Sequence, residues 1–284
     1  MIWQLFIFLT IRREKRRQQA VLATSFKSPW IPLMPKWLKQ VIPYRFWPST
    51  LLRHWLEKRG QGRVLSGPFT GMRYLNTSIG SQYEPKLLGT YELELSPIIT
   101  ELAKLPFQIV VDAGAAEGYY AVGMATLLPA CRIISFESSP KGQALQAQMA
   151  SLNGVTERLT INGLCTPESL SAALPQTGNA LLIMDVEGAE RELLDLTATP
   201  ALRQTHILVE MHDFLDPNLQ NLIRQRFENS HQIRLIPIQQ RSLEDYPFAL
   251  PAWARHGLKD TLLEAISEKR HPDSSWLFMT PKPI

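Results

Sequence analysis

The chain has 284 residues, 45% hydrophobic and 20% charged, which fits one sizeable α/β core plus an extension and excludes wholesale disorder, a collagen-like repeat and a multispanning membrane protein. Its net charge of +4 conceals an asymmetry: residues 1–63 carry 13 Lys and Arg against two acids, and the remainder carries 17 against 24. The two cysteines, Cys131 and Cys165, are too few for a disulfide framework and lack a zinc-type CxxC spacing, so a reducing, cytoplasmic compartment is expected.

Residues 1–65 read as a basic N-terminal extension rich in Trp and Pro, with five of the seven tryptophans, and residues 66–284 as the main domain. The opening MIWQLFIFLTI falls short of the ~20 residues that span a bilayer, and its basic run (Arg12, Arg13, Lys15, Arg16, Arg17) follows the apolar part, the reverse of a secretory signal. Three readings stand: a helix packed on the main domain, peripheral contact with an anionic membrane surface, and a nucleic-acid arm. Packing is favoured and no nucleic-acid partner is expected.

From about residue 105 short β-branched and apolar runs alternate with segments of helical character. The runs are 108–114 (QIVVDAG), 131–137 (CRIISFE), 159–162 (LTIN), 180–186 (ALLIMDV), 206–211 (HILVEM), 232–238 (QIRLIPI) and 275–281 (SWLFMTP). Between the first six lie YYAVGMATLL, GQALQAQMASLN, PESLSAAL, AERELLDL and NLQNLIRQRFEN; the last connection is longer, with a helix candidate at 258–269. The alternation predicts a Rossmann-like, mostly parallel α/β sheet of seven strands with helices on both faces. Ligands of such sheets bind beyond the carboxyl ends of the strands, at the switch point.

The first run ends in Asp112, Gly114 and Gly118, a DxGxxxG pattern in which Ala116 stands where a dinucleotide fingerprint has its second glycine. That favours a ligand without pyrophosphate; a glycine-rich turn with no ligand is the plainer alternative. Glu137 ends the next run, 25 residues on, near the offset at which an acid reaches ribose hydroxyls, although a solvated strand-end acid is the commoner occurrence. The fourth and fifth runs end in DVEGAE (Asp185, Glu187) and EMHD (Glu210, His212), and so dense a group of ionisable side chains at one sheet edge points to a site.

In order and spacing, DAGAAEG, FESSP, IMDVEGAERELL and ILVEMHD resemble the motifs of FkbM-like methyltransferases over residues 85–284. The resemblance implies S-adenosyl-L-methionine as cofactor and transfer of its methyl group to a hydroxyl of a small molecule, sugar or glycan. It implies that Asp112, Gly114, Ala115, Glu117, Gly118 and Tyr119 surround the methionine part, with Glu92, beside Tyr91, in the lead-in that covers the cofactor. Glu137 and Ser138 then meet the ribose and the loop at Gly163 the adenine, with Asp185 facing both cofactor and acceptor. Catalysis falls to His212, Asp185, Glu187 and Glu210, His212 being the expected base because an unperturbed imidazole titrates near neutrality. No dedicated metal loop is visible and no metal is expected; a divalent ion on Asp185, Glu187 and Glu210 is the rival account of the acid cluster. A binding protein without turnover and a nucleotide-dependent oxidoreductase are the alternative functions. Tyr246, Phe248 and Trp253, in the connection 239–275, are either walls of an apolar or sugar-stacking pocket or, equally well, aromatic packing beneath the loop.

Overall fold

A computed structural model describes residues 46–176, 179–271 and 274–283, and the apolar and basic runs at the N-terminus lie outside them. One compact unit runs from Pro48 to Ile284. It is built on a seven-stranded sheet: β1 (Ile109–Ala113), β2 (Arg132–Phe136), β3 (Leu159–Asn162), β4 (Ala180–Met184), β5 (Thr205–Met211), β6 (His231–Pro237) and β7 (Ser275–Pro281). The spatial order is β3-β2-β1-β4-β5-β7-β6. The first five strands are parallel, and β7 inserts antiparallel to both β5 and β6. This is the Rossmann-like α/β sheet expected from the alternation of runs.

Side chains of successive strand residues point to opposite faces, and both faces are covered. Val110, Leu181, Ile183 and Leu208 join one apolar cluster; Val111, Ala113, Leu182, Met184 and Val209 join the other. Over the first face lie helices Pro48–Gly60, Tyr83–Leu88, Ser96–Leu102, Tyr119–Leu127, Pro140–Leu152 and Lys259–Ile266, contributing Leu56, Leu87, Ile99, Val122, Met149 and Ile266. Over the second lie Pro167–Ala173, Glu190–Leu193 and Leu219–Phe227, contributing Leu170, Leu193 and Phe227. All five residues of β4 are buried, the pattern of a central parallel strand covered on both sides.

Helix starts follow local chemistry. Ser139 caps the helix opened by Pro140, and Thr166 with Ser169 forms a capping box ahead of Pro167. The helix expected over 189–196 is only Glu190–Leu193, because the Asp195 carboxylate accepts from the amides of Thr197 (2.7 Å) and Ala198 and draws the chain into a turn. Helix Pro48–Gly60 lies within the compact unit, its Leu56 fully buried, so residues 48–65 of the stretch read as an extension fold with the sheet. No helix among the described residues is long and apolar enough to cross a membrane.

Candidate active site at the carboxyl ends of β1, β2, β4 and β5

In this strand order the connections diverge between β1 and β4, so the crevice above their carboxyl ends is the switch point. Gly114 leaves β1 with φ +88°, and a Cβ there would stand 1.8 Å from the Asp185 carbonyl oxygen. The glycine is needed because the chain leaving β1 crosses directly against the chain leaving β4. Ala116 follows in the left-handed region, φ +48°. Its N–H donates to Glu137 Oε2 (2.8 Å), and the Ser139 N–H donates to Glu137 Oε1 (2.7 Å). Each Glu137 oxygen retains a lone-pair direction for a further donor, on a carboxylate held in place by two amides. Ser138 and Gly163 are exposed beside it, and Leu164 is 70% exposed. Gly118, φ +93°, packs its Cα side against Gln146, whose amide donates to the Ala116 carbonyl (3.0 Å).

Four of the expected cofactor neighbours face inward instead. Glu117 is fully buried and receives the Lys86 ammonium, the Tyr74 hydroxyl (2.6 Å), the Ser78 hydroxyl (3.1 Å) and the Ile79 amide (2.9 Å). Burial pushes its pKa up, but Lys86 and the other donors outweigh this and hold it below the usual value. Left-handed Ala116 turns the next side chain under the sheet edge, so Glu117 anchors the lead-in segment and lines no crevice. Tyr119 is likewise buried, edge-on to Phe69, Tyr74 and Tyr91. Ala115 is buried, with its amide on the Phe136 carbonyl (3.1 Å). Glu92, itself at φ +48°, is buried between the Tyr120 hydroxyl and Arg270. Burial raises its pKa to about 7, with Arg270 opposing the rise.

Asp112 is buried, and its Oδ2 has no hydrogen-bond partner among the described residues. Burial pushes its pKa up to about 7; the Ala121 amide opposes this and the carboxylates of Asp185 and Glu137 add to it. Beyond β4 and β5, Asp185, Glu210 and His212 come together, whereas Glu187 sits at φ +51° in the DVEG turn. His212 Nδ1 lies 2.6 Å from Glu190 Oε1, and its Nε2 faces Asp185 Oδ1 at 3.5 Å and Glu210 Oε2 at 3.9 Å. Desolvation lowers the imidazole pKa, but Glu190, Glu210 and Asp185 overcome it and raise the value to about 9. Burial likewise pushes Glu210 to about 8, with Asp185 adding and Arg270 opposing, and pushes Asp185 upward against the pull of His212. The surrounding carboxylates thus favour a protonated imidazole over the near-neutral one expected from the sequence. The Asp185 side chain is 37% exposed, making it the member of the cluster open to an incoming group.

Several residues that shape the site carry no motif. Arg270 pairs with Glu210, Glu92 (3.1 Å) and Glu94 (3.7 Å), and Arg241 pairs with Glu94 (2.7 Å) and Glu268. Both arginines come from the connection between β6 and β7. Within that connection Tyr246 is buried, with its hydroxyl on the Leu262 carbonyl (2.8 Å), and Phe248 packs on Trp55 and Tyr246. Those two belong to the core rather than to a pocket wall; Trp253 is 70% exposed. Glu190 belonged to the acid-rich DVEGAE stretch in the sequence but was assigned no role there.

No protein-family model matches the chain, and a search of curated proteins returns no match. Among solved structures the chain is similar to precorrin-6y C5,15-methyltransferase from Geobacter metallireducens, at 13% identity over 68% of this chain and 88% of that one (TM-score 0.43). It is similar to an O-methyltransferase from Bacillus cereus in complex with SAH, at 13% over 66% and 80% (TM-score 0.42). A third is the O-methyltransferase TomG of Streptomyces achromogenes, involved in tomaymycin synthesis, in complex with SAM, at 16% over 51% and 72% (TM-score 0.38). Likeness this distant carries no residue roles to the present chain. Those rest on the geometry of the site.

Proposed function

We propose that the protein is an S-adenosyl-L-methionine-dependent methyltransferase of the FkbM-like type, which methylates a hydroxyl of a small molecule, sugar or glycan. The observation that carries this reading is the arrangement around the Gly114–Ala116 turn. On one flank a fixed carboxylate, Glu137, keeps free acceptor directions, and on the other stands the ionisable cluster of Asp185, Glu210 and His212.

The residues present fit that cofactor. Glu137 would accept the two ribose hydroxyls, and the orphaned Oδ2 of buried Asp112 would accept the amino group of the methionine end. Exposed, apolar Leu164 would lie against the adenine. When bound, the cofactor supplies a methyl carbon on a sulfonium, already joined to a good leaving group. The protein then has to align the acceptor and remove its proton. Asp185, whose side chain is 37% exposed, is the member placed to take that proton, while His212, held by Glu190, stands behind its buried Oδ1. A dinucleotide reading is weakened because the Ala116 amide, which would meet a pyrophosphate, is already donated to Glu137.

The test is to incubate the protein with small-molecule extracts and a donor carrying a trideuterated methyl group, then read products by mass spectrometry. A product gaining three deuterons, lost in Asp185→Asn, supports methyl transfer; donor binding with no labelled product in any extract favours a binding protein.

A further inference from the structure

The Asp185–Glu210–His212 cluster has a feature that proton transfer does not require. One ligand-type atom from each residue lies within 4.8 Å of the other two. Two of the three are fixed from behind. Glu190 takes up Nδ1 of His212, leaving Nε2 toward the cluster, and Arg270 takes up Oε1 of Glu210, leaving Oε2 toward it. The third atom, Asp185 Oδ1, is buried without a hydrogen-bond partner. The His212 side chain is only 6% exposed, and its Nε2 makes no hydrogen bond among the described residues.

A cluster built only to share protons would close to charge-assisted distances of about 2.7–2.9 Å. Here Nε2 stands 3.5 Å and 3.9 Å from the two carboxylate oxygens, so a gap remains between three converging donors. Ligands about 2.0–2.2 Å from a common tetrahedral ion are about 3.4 Å apart, close to these separations. A ligating histidine commonly gives its other ring N–H to a carboxylate, the relation of His212 to Glu190. One imidazole nitrogen with two carboxylate oxygens suits Mn²⁺ or Zn²⁺ better than the all-oxygen preference of Mg²⁺ or Ca²⁺.

We propose that Asp185, Glu210 and His212 bind a divalent transition-metal ion, which displaces the proton from His212 Nε2 into solvent, with Glu190 and Arg270 orienting two of its ligands. This departs from the expectation of no metal drawn from the sequence. The binding site rests on ligand geometry alone. Its use, in holding and acidifying the acceptor hydroxyl, rests on the methyltransferase reading.

The test titrates Mn²⁺ into the chelator-treated, dialysed full-length chain and follows loss of the free-ion electron paramagnetic resonance signal, with Zn²⁺ as competitor. The expected result is one Mn²⁺ per chain, displaced by Zn²⁺. Asp185→Asn and His212→Gln should each weaken uptake at least tenfold, and Glu190→Gln by about 10–100-fold. Asp185→Asn keeps size and shape at a partly exposed position, so circular dichroism should show it folded. Absence of saturable uptake by the parent chain, or uptake unchanged in folded Asp185→Asn, overturns the proposal. Calorimetry with S-adenosylhomocysteine on the same metal-free protein separates the two claims: homocysteine-ligand binding without Mn²⁺ uptake removes the metal alone, and Mn²⁺ uptake without that binding removes the cofactor alone.

Discussion

Lys86 and Glu117 show how a residue can stand in a cofactor motif and do something else. Their side chains are 4% and 0% exposed, so removing one charge strands the other away from water. Lys86→Met should cost about 3–5 kcal/mol of unfolding free energy in denaturant titration; a loss near zero would mean that Glu117 finds water or another partner. Asp112 gives a pH signature. Its folded pKa of about 7 lies above the unfolded value, so its contribution is favourable at low pH and is lost as pH rises through 7. Asp112→Asn, neutral at every pH, should therefore raise the melting temperature relative to the parent more at pH 8 than at pH 5, by a few degrees. An equal shift at both values would show that the buried carboxyl is not protonated near neutrality. From the sequence Glu137 was expected at the ribose and Glu117 beside the methionine part; the left-handed Ala116 that turns Glu117 inward and ties its own amide to Glu137 had no signal in a residue type that ordinarily avoids that conformation.

At the scale of elements, the strands were legible because runs such as LTIN and HILVEM combine β-branched residues with flanking turns, and the structure places the ends of each within two residues of its run. The early end of helix Glu190–Leu193 was not, since it depends on a carboxylate bonding local amides rather than on periodicity. The β1 turn carries a sharper consequence. Because any Cβ at Gly114 meets the Asp185 carbonyl at 1.8 Å, Gly114→Val should destabilise the fold itself, with a depressed melting temperature, and so cannot serve as a clean probe of ligand binding. An unchanged melting curve would show that the β1 and β4 exits separate more easily than their packing implies. In β4, fully buried Leu182→Ala should cost about 2–5 kcal/mol in the same denaturant titration, as expected for a cavity under helices that cannot collapse onto it. A cost below about 1 kcal/mol would contradict the tight two-sided packing.

For the whole molecule, the order β3-β2-β1-β4-β5-β7-β6 brings four strand ends to one crevice, and the motifs on the ends of β4 and β5 were enough to read Asp185, Glu210 and His212 as neighbours. Arg270 was not readable as the partner of Glu210, nor Arg241 as that of Glu94, because a charge in a long connection does not show where the chain returns, and the antiparallel insertion of β7 brings that connection back over β5. The site is thus a carboxylate-rich centre balanced by Arg270 from a distant segment, beside the Gly114–Ala116 turn and its fixed carboxylate Glu137. Isothermal titration of the full-length chain with S-adenosylhomocysteine, with NAD as control, tests that claim most directly. Micromolar one-to-one binding of S-adenosylhomocysteine, weakened about 10–100-fold by Glu137→Ala through loss of charge-assisted hydrogen bonds and absent for NAD, is the predicted result. Binding of NAD without S-adenosylhomocysteine, or S-adenosylhomocysteine affinity indifferent to Glu137, would contradict it.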